Sequence, residues 1–242
     1  MPFLEVVDLV KRFGDRVAIR HVSFEVEQGE IVSVVGPKGA GKTTLCNCIV
    51  GYHKLDSGNV IFKDKDITGW RPFQTNQEGI GRTFQLMKIT ARMTVLENVM
   101  VGAFCRTDDR YLAKVEASAI LGFLGLDSLR NGLLKALPIA SQKKVGLARV
   151  LATQPELLLL DEVTSGLDPG EAEEMMMLLN KIHWDKETTL LLMEEVMDVV
   201  MPIAGRVIVL DDGEKIGEGS PGEMVRDERV IKAYRGEKSA QR

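Results

Sequence analysis

The stretch Gly36-Pro37-Lys38-Gly39-Ala40-Gly41-Lys42-Thr43-Thr44 matches G-x-x-x-x-G-K-[ST] in full, and no other part of the chain constrains the fold as tightly. Before it, Ile31 to Val35 is a continuous apolar run, the pattern of a strand buried on both faces. After it, Leu45, Ile49 and Val50 recur at helical spacing until Gly51 closes the run. A strand that ends in a glycine bend and opens into a helix turns successive backbone N–H groups inward. It also aims the positive end of a helix dipole at the same point. Such a bend cradles a polyanion, and the Lys42 ammonium is placed to reach its outer phosphates.

A second apolar run, Leu157 to Leu160, delivers two carboxylates, Asp161 and Glu162, at its end, where open α/β sheets bind ligands. Alone, such a pair only caps the next helix. Combined with the glycine bend it divides the labour of phosphoryl transfer. Thr43 and Asp161 are the expected Mg²⁺ ligands, and Glu162 is the expected group that polarises water for attack on the terminal phosphate of ATP.

The rest of the chain alternates the two periods. Val22 to Glu27 alternates apolar and charged residues, Gln28-Gly29 marks a turn, and Asn59 to Phe62 is a further strand. From about Thr94 to Ala152 the spacing is helical, as in Leu112, Val115, Ala119, Leu121 and Leu124, and it implies an inserted helical subdomain. Gly170 to Trp184 is predicted as a helix, and Thr188 to Met193 and Arg206 to Leu210 as strands before the Asp212-Gly213 turn. Strands alternating with helices imply a parallel sheet.

Composition excludes several classes. With 31 basic and 35 acidic residues the formal charge is -4, so no basic excess points to a nucleic-acid partner. Cys46, Cys48 and Cys105 are an odd set and His21, His53 and His183 are dispersed, which predicts reduced thiols and no structural metal. Met1 to Val10 lacks the basic and apolar regions of a signal peptide, and the longest apolar runs are too short to span a bilayer. The charged end from Glu237 to Arg242 is expected to fray.

Taken together, these residues resemble the ATP-binding subunits of ABC transporters, over nearly the whole chain and most of all those of the branched-chain amino acid class. Further carriers are Lys11-Arg12-Phe13-Gly14, Gly81-Arg82-Thr83-Phe84-Gln85, Met93-Thr94-Val95-Leu96-Glu97-Asn98 and Val230-Ile231-Lys232-Ala233-Tyr234. The resemblance implies an α/β fold: a P-loop, RecA-like, mostly parallel sheet core with an N-terminal antiparallel β subdomain and an inserted α-helical subdomain. It divides the chain into a nucleotide-binding core with its β subdomain at 1–85 and 156–222, a helical subdomain at 86–155, and a C-terminal helix and tail at 223–242.

By the same resemblance Phe13 stacks on adenine, and Gln85 touches magnesium and the attacking water. Ser165 and Asp168 belong to a D-loop that crosses to a second ATP-binding subunit in a homo- or heterodimer. Integral membrane permease subunits complete the assembly, which puts this chain in the cytoplasm, peripheral on the inner face of the membrane.

The chain departs from the family pattern in three places. The signature that closes over the partner's ATP corresponds to Leu137-Pro138-Ile139-Ala140-Ser141, followed by Gln142. There Pro138 removes a hydroxyl and an N–H, and Ala140 puts a methyl where glycine allows close backbone approach. The switch histidine aligns with Glu195, so an anion replaces a donor to the γ-phosphate, and Lys38 stands where asparagine or serine is usual. Losing one preorganised donor to developing charge typically lowers rate about 10²- to 10³-fold, so slow hydrolysis is expected. A largely non-hydrolytic ATP switch is the alternative. A small-molecule P-loop kinase leaves Gln85, Asp168 and the helical insert unexplained.

Overall fold

A computed structural model describes residues 1–83 and 93–240 of the chain. Strands β1 (Leu4–Phe13) and β2 (Arg16–Val26) form an antiparallel hairpin, and β3 (Ile31–Val35) then enters the core fully buried. Helix α1 (Lys42–Ile49) follows the glycine bend, and strands β4 (Ser57–Phe62) and β5 (Lys65–Asp66) return to the hairpin. Helix α2 (Pro72–Glu78) leads into the short strand β6 (Ile80–Arg82).

Three helices come next: α3 (Val95–Ala103), α4 (Arg110–Phe123) and α5 (Ile139–Leu151). Thr94 caps α3 by accepting from the Glu97 N–H, and Asp109 caps α4 by accepting from Tyr111 and Leu112. Strand β7 (Leu157–Asp161), helix α6 (Pro169–Lys186) and strand β8 (Thr189–Glu194) restore the β-α-β alternation. The chain ends with α7 (Met197–Val200), β9 (Arg206–Asp211), β10 (Glu214–Gly219), α8 (Pro221–Met224) and α9 (Glu228–Ala240).

Two sheets result. One is antiparallel, in the order β2-β1-β4-β5; the other runs β10-β9-β3-β8-β7-β6. In the second sheet β9, β3, β8, β7 and β6 are parallel neighbours and only β10 pairs antiparallel. The pleat of its apolar strands feeds two cores. Leu157, Leu159, Leu191 and Met193 face the antiparallel sheet and α1, whereas Leu158, Leu160, Leu190 and Leu192 pack towards α3 to α6. That double burial is why β7 and β8 lack a polar alternation in sequence.

The expected α/β architecture, with a mostly parallel sheet and an antiparallel β unit at the N-terminus, is the one observed. The strand expected at Val22 to Glu27 is in fact the end of an eleven-residue strand, β2, and its partner β1 was not anticipated. In β1, register shifts between Val6 and Leu9 and again around Lys11 break the alternation that marks a half-buried strand. Strand β10 carries Gly217 and Gly219, which lower its β propensity.

Candidate functional site

Strand β3 delivers the glycine bend at the end of the parallel sheet. Gly41 is the N-cap of α1 with φ +107°, and a Cβ there would lie 2.7 Å from the Ala18 carbonyl oxygen and 2.9 Å from Ile19 Cδ1. Backbone conformation and close approach both demand glycine. The Lys42 side chain is buried and curls back across the bend, its Nζ donating to the carbonyls of Gly36 at 2.6 Å and Pro37 at 3.0 Å. Lys38 and Gly39 form the exposed rim of the loop, and Pro37 and Ala40 its buried underside.

Strand β7 brings Asp161 beside the same bend. The Thr43 hydroxyl donates to Asp161 Oδ1 at 3.1 Å, across 118 residues of sequence. Hydroxyl and carboxylate oxygens are hard donors that suit Mg²⁺, and together with the loop amides they fit a magnesium-bound triphosphate. A cavity of about 350 Å³ joins Phe13, Gly39, Gly41, Thr43, Thr44 and Glu162 around this point. Phe13 is 46 % exposed at the end of β1, edge-on to the His53 ring at 5.1 Å, so its ring offers a surface instead of filling a core.

Glu162 follows β7 in a left-handed conformation, φ +49°. Its N–H donates to the Met193 carbonyl at 2.8 Å, and its own carbonyl accepts from Lys143 Nζ, on α5, at 3.0 Å. Those bonds pin the main chain on both sides of Glu162, which lines the cavity. A neighbouring cleft of about 760 Å³ also has Glu162 in its wall, with Thr164, Ser165, Glu194, Glu195 and Met176.

At the end of β8, Glu194 is buried and clasps the segment leaving β7. Its carboxyl accepts from the Thr164 N–H at 3.2 Å and the Thr164 hydroxyl at 2.9 Å. Burial pushes its pKa up to about 7, against the lowering influence of the Thr164 bonds and the Lys143 cation. Lys143 is itself held below the usual lysine range by burial, opposed by Glu194 and Glu162. Glu195 is half-buried, and its carbonyl accepts from Tyr234 Oη on α9.

Not all the anticipated residues meet in one chain. Pro138 is the N-cap of α5 and Ala140 and Ser141 form its first turn, away from the cavity that holds Thr43 and Glu162. Gln142 turns back to donate to the Leu137 carbonyl at 2.8 Å. Ser165 is exposed, and Asp168 caps α6 by accepting from the Glu171 N–H at 2.9 Å. Gln85 lies outside the described residues. Three residues that sequence reasoning did not single out reach the site: Arg82 on Asp161, Lys143 on Glu162, and Glu194 on Thr164. Arg82 stood within a quoted motif, but only the fold reveals which carboxylate it serves.

A glycine cradle, a buried lysine and a metal-ready Thr–Asp pair on this sheet define a nucleotide-binding cassette, and residues 19–165 match the ABC transporter family. The chain belongs to that family, as an ATP-binding cassette and ATPase. It is 35 % identical to the high-affinity branched-chain amino acid transport ATP-binding protein LivG of Salmonella typhimurium, over 98 % of each chain. Among solved structures, an ATP-binding cassette of an ABC transporter in its ADP conformation superposes with a TM-score of 0.89 at 32 % identity, covering 98 % of this chain and 99 % of that one. A dimeric ATP-binding cassette in a post-hydrolysis state, bound to ADP and Pi, gives a TM-score of 0.81 at 26 % identity, covering 90 % of this chain and 98 % of that one. Among the described residues, no helix is long and apolar enough to cross a membrane.

Proposed function

We propose that this chain is the ATP-hydrolysing subunit of a transporter that takes up branched-chain or related amino acids, and that it turns over slowly. The observation that carries the hydrolytic part is the 3.1 Å contact between Thr43 and Asp161 at the foot of the glycine bend, with Glu162 next in sequence. The solute class rests on the similarity to LivG.

Bound Mg²⁺ would supply charge neutralisation between the phosphates. Thr43 and Asp161 would hold it, with Gln85 as a further ligand, and the amides from Lys38 to Thr44 would wrap the phosphates. Lys42 exchanges loop carbonyls for phosphate oxygens. Phe13 takes the adenine on its exposed face, and Glu162 orients the water and draws its proton.

Two chains, identical or not, clamp ATP between the loop of one and the Pro138–Gln142 turn of the other, with Ser165 and Asp168 crossing between them. Residues 86–155 act as the helical subdomain, between the core segments 1–85 and 156–222, and 223–242 form the C-terminal helix and tail. Permease subunits bind this assembly to the cytoplasmic face of the membrane, and nucleic acid has no part in it.

Slow turnover follows from Glu195, Pro138 and Ala140, which replace a γ-phosphate donor, a hydroxyl-bearing residue and a close-approach glycine with an anion, a ring and a methyl. The same three residues favour a second reading, a switch that dimerises on ATP with almost no hydrolysis. Calorimetry and steady-state turnover on the full chain with its partner subunits test both. Lys42→Ala is expected to abolish Mg-ATP uptake, and Glu162→Gln to keep uptake and lose turnover. Wild-type turnover no higher than that of Glu162→Gln would replace the first reading with the second.

A further inference from the structure

Asp161 is committed on both oxygens. While Oδ1 accepts from Thr43, Oδ2 accepts from the Arg82 guanidinium at 2.9 Å, and the two side chains are 7 % and 0 % exposed. Strand pairing fixes this approach. Arg82 ends β6, which runs parallel to β7 with Arg82 opposite Leu159, so its side chain reaches forward to the end of the neighbouring strand. The guanidinium is held at two further points: its Nη1 donates to Asn47 Oδ1 on α1, and its Cζ lies 5.6 Å from the Tyr52 ring centroid. A guanidinium fork held on two sides by oxygen acceptors and laid against an aromatic ring keeps one orientation.

We propose that Arg82 is a positioning residue that makes the metal site depend on nucleotide. It neutralises Asp161 and reserves Oδ2, so that only Oδ1, beside Thr43, is offered to a divalent cation. This rests on the reading of Thr43 and Asp161 as the magnesium ligands.

The reasoning is electrostatic. A carboxylate and a hydroxyl at the end of a sheet would attract a free divalent ion, but the Asp161–Arg82 pair carries no net charge. The guanidinium also repels a dication only a few ångströms away through a medium of low effective dielectric. Mg²⁺ gives up its water reluctantly and is held by one or two carboxylates together with substrate phosphates. With Asp161 already paired, the phosphates must bring the balance of negative charge, so metal and nucleotide enter together. The pair also spares Asp161 an uncompensated buried charge.

The test is Mn²⁺ uptake by the nucleotide-free full-length protein, followed by the loss of the free-ion spin-resonance signal, beside Mg-ATP binding by calorimetry. Arg82→Gln is expected to raise affinity for free Mn²⁺ about tenfold or more. Arg82→Lys, which keeps the charge but loses the fork, is expected to fall between wild type and Arg82→Gln. Should Arg82→Gln fail to fold, Asn47→Ala, which releases one hold on the guanidinium, is expected to raise free Mn²⁺ affinity about threefold. Wild-type affinity in Arg82→Gln, or in Asn47→Ala where that variant stands in, overturns the proposal; so does an Arg82→Lys chain that behaves like Arg82→Gln. Absence of Mg-ATP binding in wild type would instead sink the nucleotide reading itself, a separate result in the same experiment.

Discussion

Tyr234 Oη donates a 3.0 Å hydrogen bond to the main-chain carbonyl of Glu195, tying the last helix to the segment that follows β8. Val230, one turn earlier on α9, packs with Met197 and Val200 of α7, and Tyr234 lies against the same cluster. Glu195 is therefore braced from outside the parallel sheet. Tyr234→Phe keeps the ring and removes the bond, a loss of about 1 kcal/mol. We expect a lower melting temperature of the size that bond sets, with KM for ATP unchanged, and a thermal melt beside steady-state kinetics on the same samples checks it.

In the proposed function Glu195 puts an acid where the family resemblance implies a histidine that contacts the γ-phosphate. Glu195→His is expected to raise turnover about 10²- to 10³-fold at saturating Mg-ATP, the range associated with one preorganised donor. Its carbonyl bond to Tyr234 is a main-chain contact and survives the substitution. An unchanged rate, measured with the cognate partner subunits present, would remove Glu195 as the cause of slow hydrolysis.

Much of this site is legible in sequence because its parts are local. The glycine bend, Lys42 and Thr43 lie within one turn of chain, and the apolar run of β7 announces Asp161 and Glu162. Arg82, Lys143 and Glu194 were not legible, because each acts on a residue 79, 19 or 30 positions away through strand neighbours whose order the sequence does not state. Strand β1 was hidden for another reason: its bulges put successive exposed residues where alternation would place a buried one.

Lys38 on the loop rim and Asp168 at the start of α6 carry opposite charges on surfaces that face each other in the proposed dimer. Asp168 uses Oδ1 for the helix cap, which leaves its charge facing solvent. Lys38→Asp and Asp168→Lys are each expected to weaken ATP-dependent dimerisation in a Glu162→Gln background, and the double swap to restore it. An exposed pair is worth only about 0 to 1 kcal/mol, so the effect on the dimer dissociation constant should be at most about fivefold. Sedimentation of the four chains measures it. Thermal melts account for the lost cap, itself worth about 1 kcal/mol.

Glu194 gives the chain a pH dependence that stability measurements can isolate. Its pKa stands near 7 in the fold against 4.5 for the free group, mainly because burial disfavours the charge. The folded state thus holds a proton that the unfolded chain has released between those values, so stability falls as pH rises from about 4.5 to about 7. Lys143 and Glu162 are the charged groups that face it, the first favouring ionisation and the second opposing it. Glu194→Gln keeps an acceptor for the Thr164 N–H and removes the charge. We expect the variant to match wild type near pH 4 and to be more stable by about 3 kcal/mol at pH 8, from the size of the shift. Urea unfolding at both pH values decides it: a difference that does not change with pH would mean that Glu194 is not protonated in the fold. Thr164 would then be holding a full carboxylate against the segment that carries Glu162.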